Sequence, residues 1–541
     1  MSKQEGNVFL KGAAILAVAG LFTKILGATF RLPLTDLLGA GTMGYYGVAY
    51  SVYGALVVMS TAGLPIAISR MVSEHRGMGE YKYAHKVFQV ALVVMLAMGL
   101  VSFAICFFGA DMICGFIGNE GAALGLRAIA PALIFVPLFS SFRGYFNGRQ
   151  HMLPTAMSEM TEQLVRVIVG LTLAYMLKPV GGPEAAAGAS FGASAGAVAG
   201  LLIIAIIYFV QRGALMDEIK SGSDRVDESA VIAKRLLIIA IPIIIGSEMM
   251  PLMNLIDTGM IMRELQAVGW TLEESKYKFG LISSYCSPLI ALPWIVTQSV
   301  GVSLVPAVSR AFGKGDVDDA HKHIRMGYRT TMILGMPCAF GMMVLALPIL
   351  KLLFASRPDE CADAAPILMV MAFSIVLSSN MQASTSVLQA IGKQMIPVRN
   401  LFIGCVGKFI AAYILLRIHS INIIGAAIGT ITAYLIAMVL NEMAVRKYTG
   451  VKVDYMTTYV RPFIATLIMS ASAVGTYKLM SLVLDVNSGR AGNALATMTA
   501  VLVAIVVYVV ATFAVKAITV EDLADFPHGD KLQKIIKKFI K

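Results

Sequence analysis

Fourteen apolar stretches, each close to the length that crosses a lipid bilayer, recur along this chain of 541 residues. A spanning helix needs about 20 mostly apolar residues. A composition of 57% apolar and 14% charged residues is far from that of soluble domains. The sequence therefore predicts an all-α polytopic membrane protein with about 14 transmembrane helices. The stretches are 12–34, 44–70, 87–109, 123–145, 155–177, 185–210, 233–262, 279–306, 326–350, 364–390, 398–417, 421–444, 459–484 and 492–516.

Basic residues are distributed unevenly between the two sides of this predicted bundle. With the N-terminus inside, roughly 30 of the 44 Lys and Arg fall on inner segments and roughly 9 in outer loops. This is the positive-inside bias of membrane proteins, so the net charge of +12 does not indicate nucleic-acid binding. We expect a multi-pass protein of the bacterial cell membrane with both termini in the cytoplasm. Five cations remain inside the spans: Lys24, Arg31, Arg127, Arg166 and Lys408.

Three sequence patterns recur in the same order, about 240 residues apart. An offset of six helices preserves the orientation of a segment in the membrane, so these patterns predict two parallel six-helix repeats. The matching pairs are AISR at 67–70 with AVSR at 307–310, each followed by a glycine-containing loop and Ala-His-Lys; the loop 148–154 with 392–397; and the helix with glycines at 188, 192, 196 and 200 with the helix of Gly425 and Gly429.

The repeat predicts four parts of the chain. They are an N-lobe at 1–225, a C-lobe at 226–450, two extra helices within 451–520, and a basic amphipathic cytoplasmic tail at 521–541. A cleft would lie between the two lobes. Within the tail, residues 528–541 place an apolar stripe opposite five lysines, which is typical of a helix on an anionic membrane surface. A solvated tail is the alternative.

The first apolar stretch carries Lys24 and Arg31, seven residues apart on one helical face. A cation near mid-membrane costs at least about 2.5–3.5 kcal/mol on insertion scales. No acid lies three or four residues from either cation within the stretch, and Gly20, Gly27 and Ala28 would admit another backbone or a ligand. We therefore expect both cations to face a watery cavity and to bind an anion.

Helix 7, the repeat partner of helix 1, carries the opposite charge in Glu248, Asn254 and Asp257. Pro251 could kink the helix and turn both acids inward. We expect these residues to face the helix-1 cations, where they would act in gating or in coupling to H⁺ or Na⁺. A static buried pair, or an acid that reaches the outer interface, is the alternative.

Three further helices carry polar candidates. Glu162 and Arg166 on helix 5 have the i,i+4 spacing of a local ion pair, which favours a structural role with gating or coupling as the alternative. Lys408 on helix 11 and Gln298 on helix 8 are additional substrate-binding candidates, since Lys408 lies too far from the ends of its span to reach the interface easily.

Residues 23–27 (TKILG) with Arg31, residues 143–167 and residues 292–316 resemble the polysaccharide-exporter branch of the MOP flippase superfamily. Within that branch the chain is similar, over essentially its whole length, to the stage V sporulation protein B-like and MurJ-like lipid II flippases. The resemblance implies an inverted-V transporter. Its substrate would be an undecaprenyl-diphosphate-linked saccharide, either lipid II or a related precursor of cell wall, spore cortex or polysaccharide, moved from the inner to the outer leaflet by alternating access.

In this resemblance, Lys24 and Arg31 match basic helix-1 positions proposed in the family to hold the diphosphate. The basic positions that MurJ-like proteins have in helices 2 and 8 are replaced here, around Val57, Val58 and Pro288, which favours the sporulation-type group. The expected partners are the lipid-linked saccharide diphosphate, membrane lipid, and a coupling ion (H⁺ or Na⁺) or the membrane potential. A monomer without cofactor, metal or nucleic acid is expected.

Two other functions remain as alternatives. A cation-coupled multidrug exporter of the MATE type would bind cationic drugs in an acidic or aromatic cavity, which the cationic first helix argues against. A membrane polymerase or ligase of saccharides would need a large outer loop with catalytic residues, whereas the predicted outer loops are short. Since P-loop and HExxH motifs are also absent from the sequence, no enzyme is predicted.

Overall fold

The computed structural model describes residues 3–221, 226–485 and 490–518, except for the side chains of residues 3–14, 17, 21, 24, 28 and 490. These residues form helices and no strand, which confirms the all-α class. The helices are α1 (Lys3–Thr61), α2 (Leu64–Gly77), α3 (Tyr81–Phe108), α4 (Ala110–Ile117), α5 (Ala123–Ile129), α6 (Ala132–Gly148), α7 (Leu153–Leu177), α8 (Gly182–Val210), α9 (Arg212–Lys220), α10 (Ser229–Ala267), α11 (Leu272–Gly280), α12 (Ser287–Gly313), α13 (Val317–Val344), α14 (Ala346–Leu353), α15 (Pro358–Ala372), α16 (Ser374–Ala390), α17 (Met395–Leu416), α18 (Ile424–Thr449), α19 (Arg461–Val483) and α20 (Arg490–Ala514).

The chain divides into two compact units, 1–284 and 285–541. The first unit contains α1 to α11 and the second contains α12 to α20. The boundary falls within a short π-helix, Leu281–Cys286. The lobe limits at 225 and 450, which come from the repeat, stay a prediction, because the two units are separated by their contacts and not by sequence similarity. The tail predicted at 521–541 lies outside the described residues.

Twelve helices of the described residues are long and apolar enough to span a membrane, or up to 13 with a pair bent by 82° at Leu345. The predicted number of 14 is therefore not confirmed. The first two predicted spans, 12–34 and 44–70, are counted as one because no loop separates them, and α1 is broken only at Gly39. Gly39 has φ 76° and ψ 166°, which only glycine adopts readily, so the helical geometry is interrupted there.

The repeated loop after AISR and AVSR has the same backbone in each unit. Gly79 and Gly315 both have φ 75°, in the left-handed region that favours glycine. The following residue, Glu80 or Asp316, donates its backbone N–H to the helix five residues earlier, at His75 or Ala311. Because the same turn forms twice, the sequence match reflects a common structure and not a chance recurrence of residue types.

In the first unit, loops predicted on the same side of the membrane contact each other. On the predicted inner side, Arg76 and Arg149 both pair with Glu218, at 2.5 and 2.7 Å. On the predicted outer side, Gln266 Nε2 donates to the Gly118 carbonyl at 2.9 Å. The alternation of sides along the chain is thus consistent with these contacts, while the assignment of the inner side to the cytoplasm stays a prediction.

The pairs α7–α8 and α17–α18 pack at backbone distance because glycines line their contacts. A Cβ atom at Gly188 or Gly192 of α8 would meet backbone atoms of α7 at 2.7–3.0 Å. Gly425 of α18 lies equally close to the backbone of α17, at 2.8 Å. These glycines were predicted to allow close helix packing, and the geometry confirms this.

Gly192→Ala is expected to destabilise the first unit. The new Cβ would lie 2.7 Å from both the Arg166 carbonyl oxygen and the Gly170 Cα, which are backbone atoms that cannot rotate away. Overpacking of this kind costs about 1–3 kcal/mol. Thermal unfolding of the detergent-purified protein, followed by fluorescence, should show a lower midpoint. Gly54→Ala is the control, because no atom lies within 4 Å of its Cβ position; equal effects of both substitutions would contradict the packing argument.

Candidate functional site

Arg31 lies half-buried on α1, and the side chain of Lys24 is outside the described part. The Arg31 Nη1 donates to the backbone carbonyl of Ser283, at 3.4 Å. Its guanidinium carbon lies 5.9 Å from the ring centroid of Tyr46 and 5.3 Å from that of Tyr50. Among the described residues no carboxylate pairs with Arg31, so its charge is balanced only by ring faces and a neutral carbonyl.

Three tyrosines follow Arg31 along α1 at the spacing of one helical face. Tyr46 stacks on Tyr50 with ring centroids 5.3 Å apart, and Tyr50 lies 5.6 Å from Tyr53. Tyr46 and Tyr53 are buried, at 2% and 4% exposure. The break at Gly39 separates Arg31 from these rings along the chain, yet the contacts bring them together. The rings therefore form one wall beside the guanidinium.

Glu162 on α7 holds two further arginines. Its carboxylate accepts from Arg143 Nη2 at 3.0 Å and from Arg166 Nη2 at 3.2 Å. All three side chains are only 14% exposed. Glu159 lies farther from Arg143, at 4.0 Å, and is 28% exposed. The local pair of Glu162 and Arg166 that the spacing predicted is present, and it includes a second arginine from α6.

Arg166 connects these residues with the tyrosine wall. Its Nη1 donates to the Tyr50 hydroxyl and to Gln163 Oε1, both at 3.4 Å. Its buried Nε has no hydrogen-bond partner among the described residues. Tyr50 therefore touches two guanidinium groups, those of Arg31 and Arg166. We call Arg31, Arg143, Arg166, Glu162, Tyr46 and Tyr50 the arginine cluster.

Two of the small residues of α1 differ in their surroundings. A Cβ atom at Gly27 would lie 3.1 Å from Nε2 of Gln163, so the absent side chain lets α7 approach α1 one turn before Arg31. No atom lies within 4 Å of the corresponding position at Gly20. The space near Gly27 is thus occupied by a polar side chain of the protein, whereas the space near Gly20 is open.

The arginine cluster carries a net positive charge in an apolar setting. Its three guanidinium groups exceed the carboxylates of Glu162 and nearby Glu159 by one. Arg31 and Arg166 each retain donors that are unpaired or weakly paired, since hydrogen bonds at 3.4 Å are near the limit of useful length. The arrangement can accept a compact anion with several oxygen atoms, because charge-assisted hydrogen bonds to such oxygens are shorter and stronger.

The acidic candidates of α10 belong to the first unit by their contacts. Glu248 has a buried Oε2 without a hydrogen-bond partner among the described residues. Asn254 is exposed, and Asp257 is half-buried. Next to Asp257, Thr258 donates to the Ser51 hydroxyl of α1 at 2.9 Å, which places this part of α10 beside the tyrosine-bearing half of α1. Pairing of Glu248 with a helix-1 cation stays a prediction.

The second unit carries Gln298, half-buried on α12, and Lys408, 6% exposed on α17. Lys408 has the same packing position as Arg166. The carbonyl of Arg166 lies against Gly192 and that of Lys408 against Gly429, at 2.7 and 3.2 Å from the respective Cβ positions. Seven residues later, Leu173 packs on Gly188 and Leu415 on Gly425. Sequence comparison did not reveal this correspondence.

Glu162 lies four residues before Arg166 in the first unit. The residue four positions before Lys408 in the second unit is Gly404. Glu162 packs through its carbonyl on Gly196, and Gly404 packs on the carbonyl of Ala433. The glycine of this contact is thus on the second helix of the pair in the first unit (Gly196 of α8) and on the first helix of the pair in the second unit (Gly404 of α17). The second unit consequently has no acid four residues before Lys408.

Sequence reasoning missed Arg143, Tyr46 and Tyr50. Arg143 lies near the end of the predicted span 123–145 and is not one of the five cations assigned to the spans from the sequence. The tyrosines at 46, 50 and 53 recur at three- and four-residue intervals, which is a detectable helical face. The Ser283 carbonyl had no sequence signal. Within the described residues, no group of three or more His, Cys, Asp and Glu could hold a metal ion.

Glu162→Ala is expected to lower the free energy of unfolding by about 3 kcal/mol or more, because it leaves Arg143 and Arg166 in the apolar interior without their shared carboxylate. The loss is measured by unfolding the detergent-purified protein, either by heat or by a denaturant other than guanidinium. Glu159→Ala is the matched control on the same helix, and its more exposed carboxylate at 4.0 Å should matter less. Equal losses would show that Glu162 has no special role.

The polysaccharide biosynthesis protein family matches residues 9–312, and the MatE family matches residues 283–414. The chain is 26% identical to the uncharacterized membrane protein YabM of Bacillus subtilis, over 98% of this chain and 96% of YabM. It is 26% identical to the lipid II flippase MurJ of the same bacterium, over 82% and 83%. It is 24% identical to stage V sporulation protein B of that bacterium, over 87% and 90%.

Two solved structures have a similar fold. An inward-facing MATE-family multidrug resistance transporter of the MOP superfamily aligns with a TM-score of 0.69 at 15% identity, covering 81% of this chain and 98% of that one. The inward closed conformation of the lipid II flippase MurJ aligns with a TM-score of 0.65 at 15% identity, covering 92% and 98%. These names describe transporters and not enzymes, in agreement with the sequence. The chain is a multi-pass membrane protein that belongs to the polysaccharide biosynthesis protein family.

Proposed function

We propose that this protein is a flippase that moves an undecaprenyl-diphosphate-linked saccharide from the inner to the outer leaflet by alternating access. The observation that carries the proposal is Arg31, a cation inside an apolar helix whose partners are two aromatic rings and a neutral carbonyl. The similarity to a lipid II flippase over most of both chains supports a lipid-linked saccharide as the substrate class. The identity of the saccharide, including lipid II itself or a sporulation-specific precursor, is part of the proposal.

Arg31 would bind the diphosphate by exchanging a weak hydrogen bond for a strong one. The Ser283 carbonyl at 3.4 Å is an uncharged, distant acceptor. A phosphate oxygen is charged and could approach to the normal distance for a charge-assisted hydrogen bond. Lys24, two helical turns away on the same face, would bind the second phosphate. The lipid tail could remain in the bilayer while only the head group is enclosed.

The other members of the arginine cluster would position Arg31. Glu162 fixes Arg166, and Arg166 donates to the Tyr50 hydroxyl beside the Arg31 guanidinium. Such a second layer keeps a binding group in one orientation before the ligand arrives. In the second unit, Lys408 and Gln298 are the further substrate-binding candidates, a role that differs from the positioning role of Arg166.

The acids of α10 would couple transport to an ion gradient. Glu248 has a buried carboxylate oxygen without a hydrogen-bond partner in the described part of the chain, which is costly unless a proton or cation binds there. Asn254 and Asp257 lie one and a half to three helical turns from Glu248 on α10 and would complete the coupling or gating group. Glu162 and Arg166 are further gating candidates. The driving ion would be H⁺ or Na⁺, with the membrane potential as an additional source.

We further infer a monomer in the bacterial cell membrane with both termini in the cytoplasm. The positive-inside bias and the contacts between same-side loops support this orientation. The division into two lobes at 225 and 450, followed by extra helices up to 520, remains part of this proposal. Labelling of cysteines engineered into the loops tests the orientation, and light scattering of the detergent-purified protein tests the oligomeric state.

Arg31→Ala is expected to lower the translocation rate about tenfold to a hundredfold, the range for losing a hydrogen bond to a charged group of about 1.5–3 kcal/mol. Lys24→Ala should have a similar effect. A leaflet-resolved assay of lipid-linked precursors, in cells depleted of their own flippase, measures the rate. Arg31→Lys should retain part of the activity because it keeps the charge but not the planar group of donors.

Arg127→Gln is the matched control for this experiment. It also removes a cation of the first unit, but the ion pair of Arg127 with Asp111 is exposed. Full activity of both Arg31→Ala and Lys24→Ala, with normal insertion, would contradict an anion site on α1. Export of cationic drugs without movement of lipid-linked saccharide would instead support the multidrug exporter that the MatE match at 283–414 brings into consideration.

Glu248→Gln is expected to make transport independent of the coupling gradient, because the amide cannot exchange a proton or hold a cation by charge. Transport into the outer leaflet is compared in cells with and without a collapsed H⁺ or Na⁺ gradient. Glu184→Gln, in the first turn of α8, serves as the control acid of the same unit. If Glu248→Gln responds to the gradient like the unmodified protein, Glu248 is not the coupling group.

A further inference from the structure

The second unit contains a cavity of about 260 Å³ whose lining includes no member of the arginine cluster. Its walls combine three aromatic side chains, one carboxylate and two cations with three valines. The volume is just below the range of drug-sized ligand sites, roughly 300–1,000 Å³, so a smaller group is expected to fit. We call it the tyrosine cavity, lined by Tyr328, Tyr455, Tyr459, Glu442, Arg446 and Lys452.

The carboxylate and one of the cations lie four residues apart on α18. Glu442 precedes Arg446, which is the favourable order for a local ion pair. Among the described residues, however, the two do not pair. Glu442 Oε1 accepts from the Tyr459 hydroxyl at 2.8 Å, and Arg446 is exposed without a side-chain hydrogen bond or ion pair in the same part of the chain. The cavity therefore presents a carboxylate and a guanidinium group that do not neutralise each other.

Tyrosine hydroxyls and rings lie beside the carboxylate. Tyr459 stacks on Tyr455 with ring centroids 5.8 Å apart, and its hydroxyl accepts from Asn380 Nδ2 while it donates to Glu442. Tyr328 is 1% exposed, and its hydroxyl has no hydrogen-bond partner among the described residues. Ring faces and hydroxyl oxygens both attract an ammonium group, and a buried hydroxyl without a partner is costly until a ligand bonds to it.

Contacts with α13 hold the loop that carries Lys452. Arg325 Nε donates to the Lys452 carbonyl at 3.1 Å, and His321 Nε2 donates to the Thr449 carbonyl at 2.7 Å. Gly450 ends α18 with φ 70°, in the left-handed region that favours glycine. The backbone of this loop is thus fixed beside the last turn of α18 before any ligand binds, which lowers the entropic cost of binding.

The tyrosine cavity lies at the beginning of a helix that is long and apolar enough to span a membrane, Met456–Val483. Tyr455, Met456 and Val460 are exposed at this point, and the valines of the cavity add further apolar surface. Tyrosines at the end of a spanning helix are typical of the head-group level of a bilayer. A ligand with acyl chains would contact these apolar side chains, whereas a free polar ion would not.

We propose that the tyrosine cavity binds the head group of a zwitterionic phospholipid with a primary amine, such as phosphatidylethanolamine. Its ammonium group would donate to the Glu442 carboxylate and the Tyr328 hydroxyl, and its phosphate would accept from Arg446 and Lys452. A ligand that carries both charges matches a cavity in which a carboxylate and cations are present but not paired. The charge pattern of the sequence places this end of α18 at the inner leaflet.

Native mass spectrometry of the detergent-purified full chain measures the binding in separate titrations with phosphatidylethanolamine, phosphatidylcholine and phosphatidylglycerol. Phosphatidylethanolamine should bind most tightly, because choline has no N–H donors and glycerol has no positive charge. Glu442→Gln should weaken phosphatidylethanolamine about fivefold without weakening phosphatidylglycerol. Arg446→Gln should weaken both, because both carry a phosphate. Asp318→Asn and Lys447→Gln are the matched controls, since these exposed residues of the same unit do not line the cavity.

Tyr328→Phe separates binding from folding. Loss of a buried hydroxyl without a partner in the described residues should leave the thermal unfolding midpoint unchanged or raise it, while phosphatidylethanolamine binds more weakly. Unchanged phosphatidylethanolamine binding in Glu442→Gln would overturn the proposal. So would an equal loss in Asp318→Asn, which would indicate diffuse electrostatic attraction.

A competition with free phosphoethanolamine identifies the source of the head group. Because the soluble compound lacks acyl chains, it should displace the lipid only at a large excess. Displacement at a concentration equal to that of the lipid would show that the acyl chains contribute nothing, and the lipid assignment would then be wrong.

Discussion

The carboxylate of Glu162 is the interaction on which the rest of the candidate site depends. The three arginines of the arginine cluster lie in or beside spans of the first unit, and their mutual repulsion in an apolar setting would be costly. Glu162 pairs with two of them, Arg143 and Arg166, from adjacent helices. Arg166 then donates to Tyr50, whose ring lies beside Arg31. Of these three arginines, only Arg31 is left without a carboxylate among the described residues, which supports the proposal that it binds the anion.

The glycines of α8 make this arrangement possible. Gly192 and Gly196 contact the carbonyls of Arg166 and Glu162, so the two helices approach without intervening side chains. The bulky charged side chains must therefore project from the other faces of α7. The second unit repeats the close contact between α17 and α18 but replaces the acid by Gly404. The repeat thus preserves the packing while the charge differs, which is consistent with different duties for Arg166 and Lys408.

The many basic residues of this chain fall into three physical groups. Most lie in inner loops, where they set the orientation of the helices. A few lie inside spans, where the cost of burial requires a partner or an anionic substrate. A third group lies at the interface, where Lys322, Arg325 and Arg329 of α13 line a cavity of the second unit. The position of a cation relative to the bilayer, and not its residue type, therefore decides which role it can have.

The sequence by itself determined the all-α membrane class, the repeat and the local pair of Glu162 and Arg166. Each of these depends on residue spacing along one helix, or on the requirement that backbone groups in lipid are satisfied within a helix. Only the tertiary structure decided that Arg143 shares Glu162, that Tyr46 and Tyr50 flank Arg31, and that Ser283 supplies its carbonyl. The structure also showed that the first two predicted spans follow each other with only a break at Gly39 between them. These features depend on contacts between residues up to 252 positions apart, and the periodicity of a single helix carries no information about such contacts.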